Sequence, residues 1–153
     1  MAVNIISFDY EGVLDQPEVL EYAKELQDRG YELAVVCRSV IITELLLLLE
    51  EHRLDIPDER IVVISHNVNK FEIIKIIGEY NYVFHLDRDI WEAEQFLHYE
   101  LLCDGIHYNP KEDWKSKCET SLLGRCMICG GKFYHKLSCP TGKVTILDLK
   151  SIK

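Results

Sequence analysis

Two acids one residue apart, Asp9 and Glu11, follow the apolar run Asn4-Ile5-Ile6-Ser7-Phe8 and precede Gly12-Val13-Leu14. Residues two apart in an extended segment point the same way, so both carboxylates can face one reaction centre. Paired carboxylates of this kind transfer protons, act as nucleophiles, or hold a cation through oxygen. Asp87 stands in the same position after a second apolar run, Asn81-Tyr82-Val83-Phe84-His85-Leu86, and a shared site would form where the two runs end. A different chemistry is written further along. Cys126, Cys129, His135 and Cys139 form a C-x₂-C-x₅-H-x₃-C array. Two thiolates two residues apart, with glycines after them, let backbone wrap one face of a tetrahedral Zn²⁺, and the His and last Cys close it.

The elements that must position the acids alternate between strand-like and helix-like patterns. Residues 3–8, Glu32–Cys37, 60–65 and 81–86 are short apolar runs, as buried parallel strands are, and residues 105–108 suit a short edge strand. Pro17–Asp28 carries Val19, Leu20, Ala23 and Leu26 at helical spacing and closes at Arg29-Gly30. Residues 40–52, 69–79 and 90–101 are the other helices. This rhythm predicts an α/β fold over residues 1–110: a doubly wound parallel sheet with helices on both faces, and ligands outside the carboxyl ends of its strands. Residues 109–125 are polar and read as a linker, so 111–153 is expected to be a linker plus a small C-terminal zinc-binding module.

The 153 residues can bury one sizeable core with a small appendage, and 48% apolar content excludes the disordered class. Residues 1–10 lack a basic region and carry Asp9, so no secretory signal is expected. The greasiest run, 40–49, contains Thr43 and Glu44, is shorter than a membrane span, and reads as a buried helix. A cytoplasmic protein with clustered thiols points to metal rather than disulfides, and four of the six cysteines lie after residue 117. Charge is divided. Residues 1–110 carry 8 Lys+Arg and 22 Asp+Glu, whereas residues 111–153 carry 9 and 4, an acidic body with a basic tail.

The strand ending in Asp9-Tyr10-Glu11-Gly12-Val13-Leu14 resembles motif I of the haloacid dehalogenase-like phosphatases, and the resemblance covers roughly residues 3–108. It implies that Asp9 attacks phosphorus. Glu11, where the family usually has Asp, would offer its backbone carbonyl to Mg²⁺ and protonate the leaving oxygen. In Cys37-Arg38-Ser39 the family places a Ser or Thr that hydrogen-bonds phosphate. Ser39 is the candidate, with Cys37, a poorer donor, in the alternative register. Lys70, opening the helix before the fourth strand, would hold phosphoryl oxygens. Asp87 would complete the Mg²⁺ ligands Asp9, Glu11 and Asp87, with Arg88 replacing the commoner second Asp and Asp89 or Glu92 available to compensate. The gaps from Asp9 to Ser39 and from Ser39 to Lys70 leave no room for a cap domain, and uncapped members act on large substrates. The expectation is therefore a Mg²⁺-dependent phosphatase, working through an aspartyl-phosphate on a nucleic-acid end or phosphoprotein. The alternative is a scaffold that has lost turnover and binds nucleic acid or protein through its zinc module. A receiver-like phosphoacceptor domain shares the sheet, the acids and a lysine, but not the turn after Asp9.

The cysteine array resembles a zinc knuckle, although retroviral knuckles have four residues in each of the two latter gaps; Cys118 is a spare thiol. Phe133 and Tyr134 lie between Lys132 and Lys136, a combination that suits single-stranded nucleic acid. In the plainer reading Phe133 packs the mini-core and the lysines are solvated. Asp9 and Asp87 would, in the same spirit, be helix or turn caps. His66, His85, His98 and His107 are scattered and read as surface or capped residues, and Trp91 and Trp114 as packing residues.

Overall fold

The structure, a computed structural model, describes residues 4–38, 40–78, 82–98 and 103–123. Five strands form one all-parallel sheet: β1 (Ile5–Phe8), β2 (Glu32–Cys37), β3 (Ile61–Val63), β4 (Tyr82–Asp87) and β5 (Asp104–His107), in the order β3-β2-β1-β4-β5. Five helices connect and flank them: α1 (Pro17–Asp28), α2 (Ile42–Glu51), α3 (Lys70–Gly78), α4 (Ile90–His98) and α5 (Trp114–Leu122). The α/β architecture expected from the alternating pattern is therefore present.

Side-chain alternation along the central strands sorts the core into two layers. Ile6 and Phe8 of β1 and Leu33, Val35 and Cys37 of β2 pack with α1, α2 and α5; Ile5, Ala34 and Val36 pack with Phe71 and Ile74 of α3 and Phe96 of α4. Both layers are buried, and that is why these strands read as largely apolar runs. The chain winds β1, β2, β3 toward one edge, then returns through α3 to lay β4 on the other side of β1. The reversal falls between β1 and β4, where open parallel sheets leave a crevice at the strand ends.

Three segments differ from expectation. Residues 109–125 are not simply a linker: within them α5 folds onto the body, burying Trp114, Cys118 and Leu122 at a spacing of four. Asp113 caps it by accepting from the Ser116 backbone N–H at 3.1 Å. Trp114 meets the edges of Tyr22 and Tyr108, with ring centroids 5.6 and 5.3 Å away. Glu119 ties α5 to α1, accepting from the Tyr22 hydroxyl at 2.5 Å and from Arg29. The run 40–49 is not a buried helix, because α2 buries only Leu45 and Leu49 and leaves Ile42, Leu46 and Leu47 exposed. Trp91 does not pack; it is 63% exposed. Among the described residues no helix is long and apolar enough to cross a membrane.

Candidate active site

β1 and β4 are paired in register, Ser7 with His85 and Phe8 with Leu86, so their next residues emerge side by side. The Asp9 N–H donates to the Leu86 carbonyl at 2.9 Å, which holds the two strand ends together. Beyond Asp9 the chain winds tightly over Tyr10–Leu14, and the Leu14 N–H returns to the Asp9 carbonyl at 3.2 Å. Gly12 takes φ +78°, a left-handed conformation that a side chain resists. Its N–H donates to the Asp15 carboxylate at 2.9 Å. A Cβ here would also meet Arg88 Cδ at 2.8 Å, so the Arg88 side chain lies directly against this turn.

Lys70, the first residue of α3, is only 2% exposed and joins the acids. Its ammonium lies 3.1 Å from Asp9 Oδ1 and 2.5 Å from Asp87 Oδ2. The Tyr10 backbone N–H also donates to Asp9 Oδ1, at 3.0 Å. Thus Asp9, Lys70 and Asp87, expected together from their order in the sequence, are brought together. Glu11 joins them as an exposed wall of the same cleft, which encloses about 220 Å³. Arg38, Arg88 and His66 supply the rest of its basic lining, and Asp89 and Glu92 more of its acid. Both Asp89 and Glu92, named as stand-ins for a second motif acid, are engaged. The Asp89 carboxylate accepts from the Trp91 N–H at 2.9 Å. Buried Glu92 pairs with Arg38 and accepts from the Lys70 backbone N–H at 3.3 Å, while Arg38 also donates to the Ser65 carbonyl at 2.7 Å.

A buried chain of polar groups supports Asp87 from behind. His85 Nε2 lies 2.8 Å from Asp87 Oδ2 and His85 Nδ1 lies 2.7 Å from Ser7 Oγ, all three residues being fully buried. An ionised Asp87 only accepts, so Nε2 carries a hydrogen; in the neutral ring Nδ1 then accepts from the Ser7 hydroxyl. Phe96 stacks on the imidazole at 5.8 Å and fixes its plane. Asp87 Oδ1 accepts from the Asp89 N–H at 2.9 Å, a turn contact, and it is the Asp89 carboxylate, not that of Asp87, that accepts from the first turn of the helix beginning at Ile90.

These contacts set the charges. Burial alone would raise the Asp87 carboxyl, but the His85 hydrogen bond and the Lys70 ammonium outweigh it and hold it below the usual carboxylate range. Asp9 goes the other way, raised by burial and then by the Asp87 charge against the weaker pull of Lys70. Burial disfavours the Lys70 ammonium, yet the two carboxylates prevail and keep it protonated above its ordinary value. Cys37 ends β2 inside the core; burial, then the Asp9 charge, push its thiol up to about 11. It is an inert packing group and fills the phosphate-donor role poorly.

Asp9, Asp87 and the Glu11 carbonyl are oxygen donors of the kind that Mg²⁺ takes, through one or two carboxylates with several waters kept, and here the Lys70 ammonium lies between the two carboxylates. Asp87 in particular stays ionised although buried, as a hard-cation ligand must. Among the described residues no group of three or more His, Cys, Asp or Glu side chains is placed to hold a metal by protein ligands alone. Ser39 and the four expected zinc ligands, Cys126, Cys129, His135 and Cys139, lie outside the described residues.

Sequence reasoning gave no role to Ser7 and Arg38 and read His66 and His85 as surface or capped residues, whereas His85 is fully buried. The first and last carried a signal: Ser7 and Asp9, like His85 and Asp87, are two apart on one strand and share a face. A histidine inside an otherwise apolar buried strand also needs a partner. Comparison with protein-family models, with curated proteins and with solved structures finds no match.

Proposed function

We propose that the cleft is a phosphoryl-transfer site of the haloacid dehalogenase type and that the protein is a phosphatase acting through an aspartyl-phosphate. The observation that carries this reading is the Lys70 ammonium seated between Asp9 and Asp87 at the mouth of the β1–β4 crevice. An Asp9 oxygen attacks phosphorus, and the bond from phosphorus to the leaving oxygen breaks as Glu11 delivers its proton to that oxygen. Glu11, now a carboxylate, takes a proton from water. The hydroxide attacks phosphorus, the bond to Asp9 breaks, and inorganic phosphate leaves with Asp9 restored. Lys70 draws the phosphoryl oxygens toward Asp9, and Arg38 and Arg88 offer further cationic donors at the cleft wall. Mg²⁺, held by Asp9, Asp87 and the Glu11 carbonyl, would neutralise charge on the transferring group.

The test is phosphate release from an aryl phosphate with Mg²⁺, comparing the intact chain with Asp9→Asn. Release that disappears in the variant supports the mechanism, and release that survives removes it. One observation favours a second reading, a scaffold that binds phosphorylated partners without turnover: Arg88 lies against the Gly12 turn where the family has a second acid. No release from either protein, with phosphate still bound, selects that reading. For residues 126–139 we propose a zinc module that presents basic and aromatic side chains to single-stranded nucleic acid. Metal analysis should find about one Zn per chain, lost on substitution of Cys126 or Cys139.

A further inference from the structure

Glu11 is a wall of two recesses. One is the cleft of Asp9, Lys70 and Asp87; the other encloses about 470 Å³ between Tyr10, Asp15, Val40, Ile41 and Glu44. Resting on the phosphoryl-transfer reading, this arrangement bears on what is attached to the phosphate. Glu11 protonates the leaving oxygen, so the leaving group sits on the Glu11 side, and the second recess opens there.

Its walls differ from those of the cleft in carrying no basic side chain among the described residues. The cleft sets Arg38, Lys70 and Arg88 among five acids, whereas the recess has, beside Glu11, the carboxylates of Asp15 and Glu44 and among the described residues no Lys or Arg. Val40 and Ile41 add aliphatic surface and Tyr10 a ring. A polynucleotide would place its next phosphates against the carboxylates of Asp15 and Glu44. A polypeptide with Lys or Arg beside an aliphatic residue would meet complementary charge and apolar contact together.

We infer that the recess takes the leaving-group side of a phosphorylated peptide carrying a basic and an aliphatic residue next to the phosphorylated one. The substrate of the cleft is then a basic phosphoprotein segment and not a nucleic-acid end. Exposed ion pairs each shift affinity roughly two- to fivefold and weaken with salt.

The experiment measures anisotropy of fluorescent ligands on the full chain carrying Asp9→Asn, which retains the binding surfaces while blocking turnover. The ligands are a phosphoserine peptide with Arg and Leu neighbours, its acidic-flanked counterpart, the unphosphorylated basic peptide and a 5′-phosphorylated oligonucleotide. The basic phosphopeptide should bind about tenfold tighter than each of the others at low salt. Adding Glu44→Lys should collapse that advantage, whereas Glu25→Lys, on an exposed face of α1, should not. Equal binding of the two phosphopeptides, tighter binding of the oligonucleotide, or an advantage that survives Glu44→Lys would overturn the inference. So would equal binding of the unphosphorylated peptide, which would sever the recess from the cleft. Because binding is read without turnover, failure of the aryl phosphate assay and failure of this inference are separate results.

Discussion

Replacing Lys70 by Met keeps most of the buried stem and removes only the ammonium. Its two contacts, at 2.5 and 3.1 Å, correspond to attractions of about 7 and about 5 kcal/mol at an effective dielectric near 20. Against them stand the desolvation of the ammonium, several kcal/mol, and the freedom of Asp9 to take up a proton once Lys70 is gone. The net loss expected for breaking such a buried pair is therefore about 3–5 kcal/mol near neutral pH. The pH dependence follows from the two acids. In the intact protein the Asp87 carboxyl is depressed, so its stabilisation is present above about pH 4 and is lost as pH falls. In the Met variant Asp9 faces Asp87 without a counter-ion, its carboxyl rises further, and the folded variant gains relative stability as pH falls toward the unfolded value. The two stabilities should thus converge toward acid. Urea unfolding at pH 8 and pH 5 in Mg²⁺-free buffer reads this directly. A loss below about 1 kcal/mol at pH 8, or a larger loss at pH 5 than at pH 8, would refute the reasoning.

Replacing His85 by Phe orphans the Ser7 hydroxyl and removes a donor from Asp87, and should cost about 2–3 kcal/mol, against about 1 kcal/mol for Ser7→Ala, by urea unfolding. A neutral His85→Phe would mean that the buried chain is not formed. Gly12→Ala should lose about 1–2 kcal/mol through the left-handed backbone. Aryl phosphate turnover should fall too, since Arg88 Cδ must give way; unchanged stability and rate would contradict the geometry of the turn. Trp114→Ala should cost about 3–5 kcal/mol, and a chain stopped after residue 110 should fail to give a cooperative unfolding transition. A stable 1–110 fragment would return α5 to the status of a linker.

What the sequence made legible follows how locally each signal is written. Buried parallel strands must be apolar on both faces, so β1, β2 and β4 stood out, and with them the acids at their ends. Lys70 could be placed because its position relative to β4 is a matter of order along the chain. α5 was hidden by its own surface: Lys115, Lys117 and Glu119 dominate the composition, although Trp114, Cys118 and Leu122 keep the period that should have exposed it. α2 misled in the other direction, since its leucines outnumber the core positions that its one buried face can fill. The partnership of Ser7 and His85 spans 78 residues and depends on strand order and register. No local pattern encodes either, and the histidine looked ordinary until β4 was laid beside β1. Arg38 and Glu92, 54 residues apart, meet for the same reason.

The reversal of strand order between β1 and β4 has a kinetic side. Strands β1 to β3 and their helices are contacts between chain neighbours, whereas the β1–β4 pairing closes a loop of more than 70 residues and carries the entropy cost of that closure. The cleft therefore lies on a seam between residues 5–63, joined by pairings of shorter sequence range, and the part that begins with α3, whose docking closes the long loop. Asp9 belongs to one and Lys70 and Asp87 to the other. Any ligand that engages all three spans the seam and binds only the docked chain, so it should slow the parting of the two halves as it stabilises the whole. Amide hydrogen exchange in β1 and β4 would then report occupancy of the cleft, even for a ligand that is never turned over.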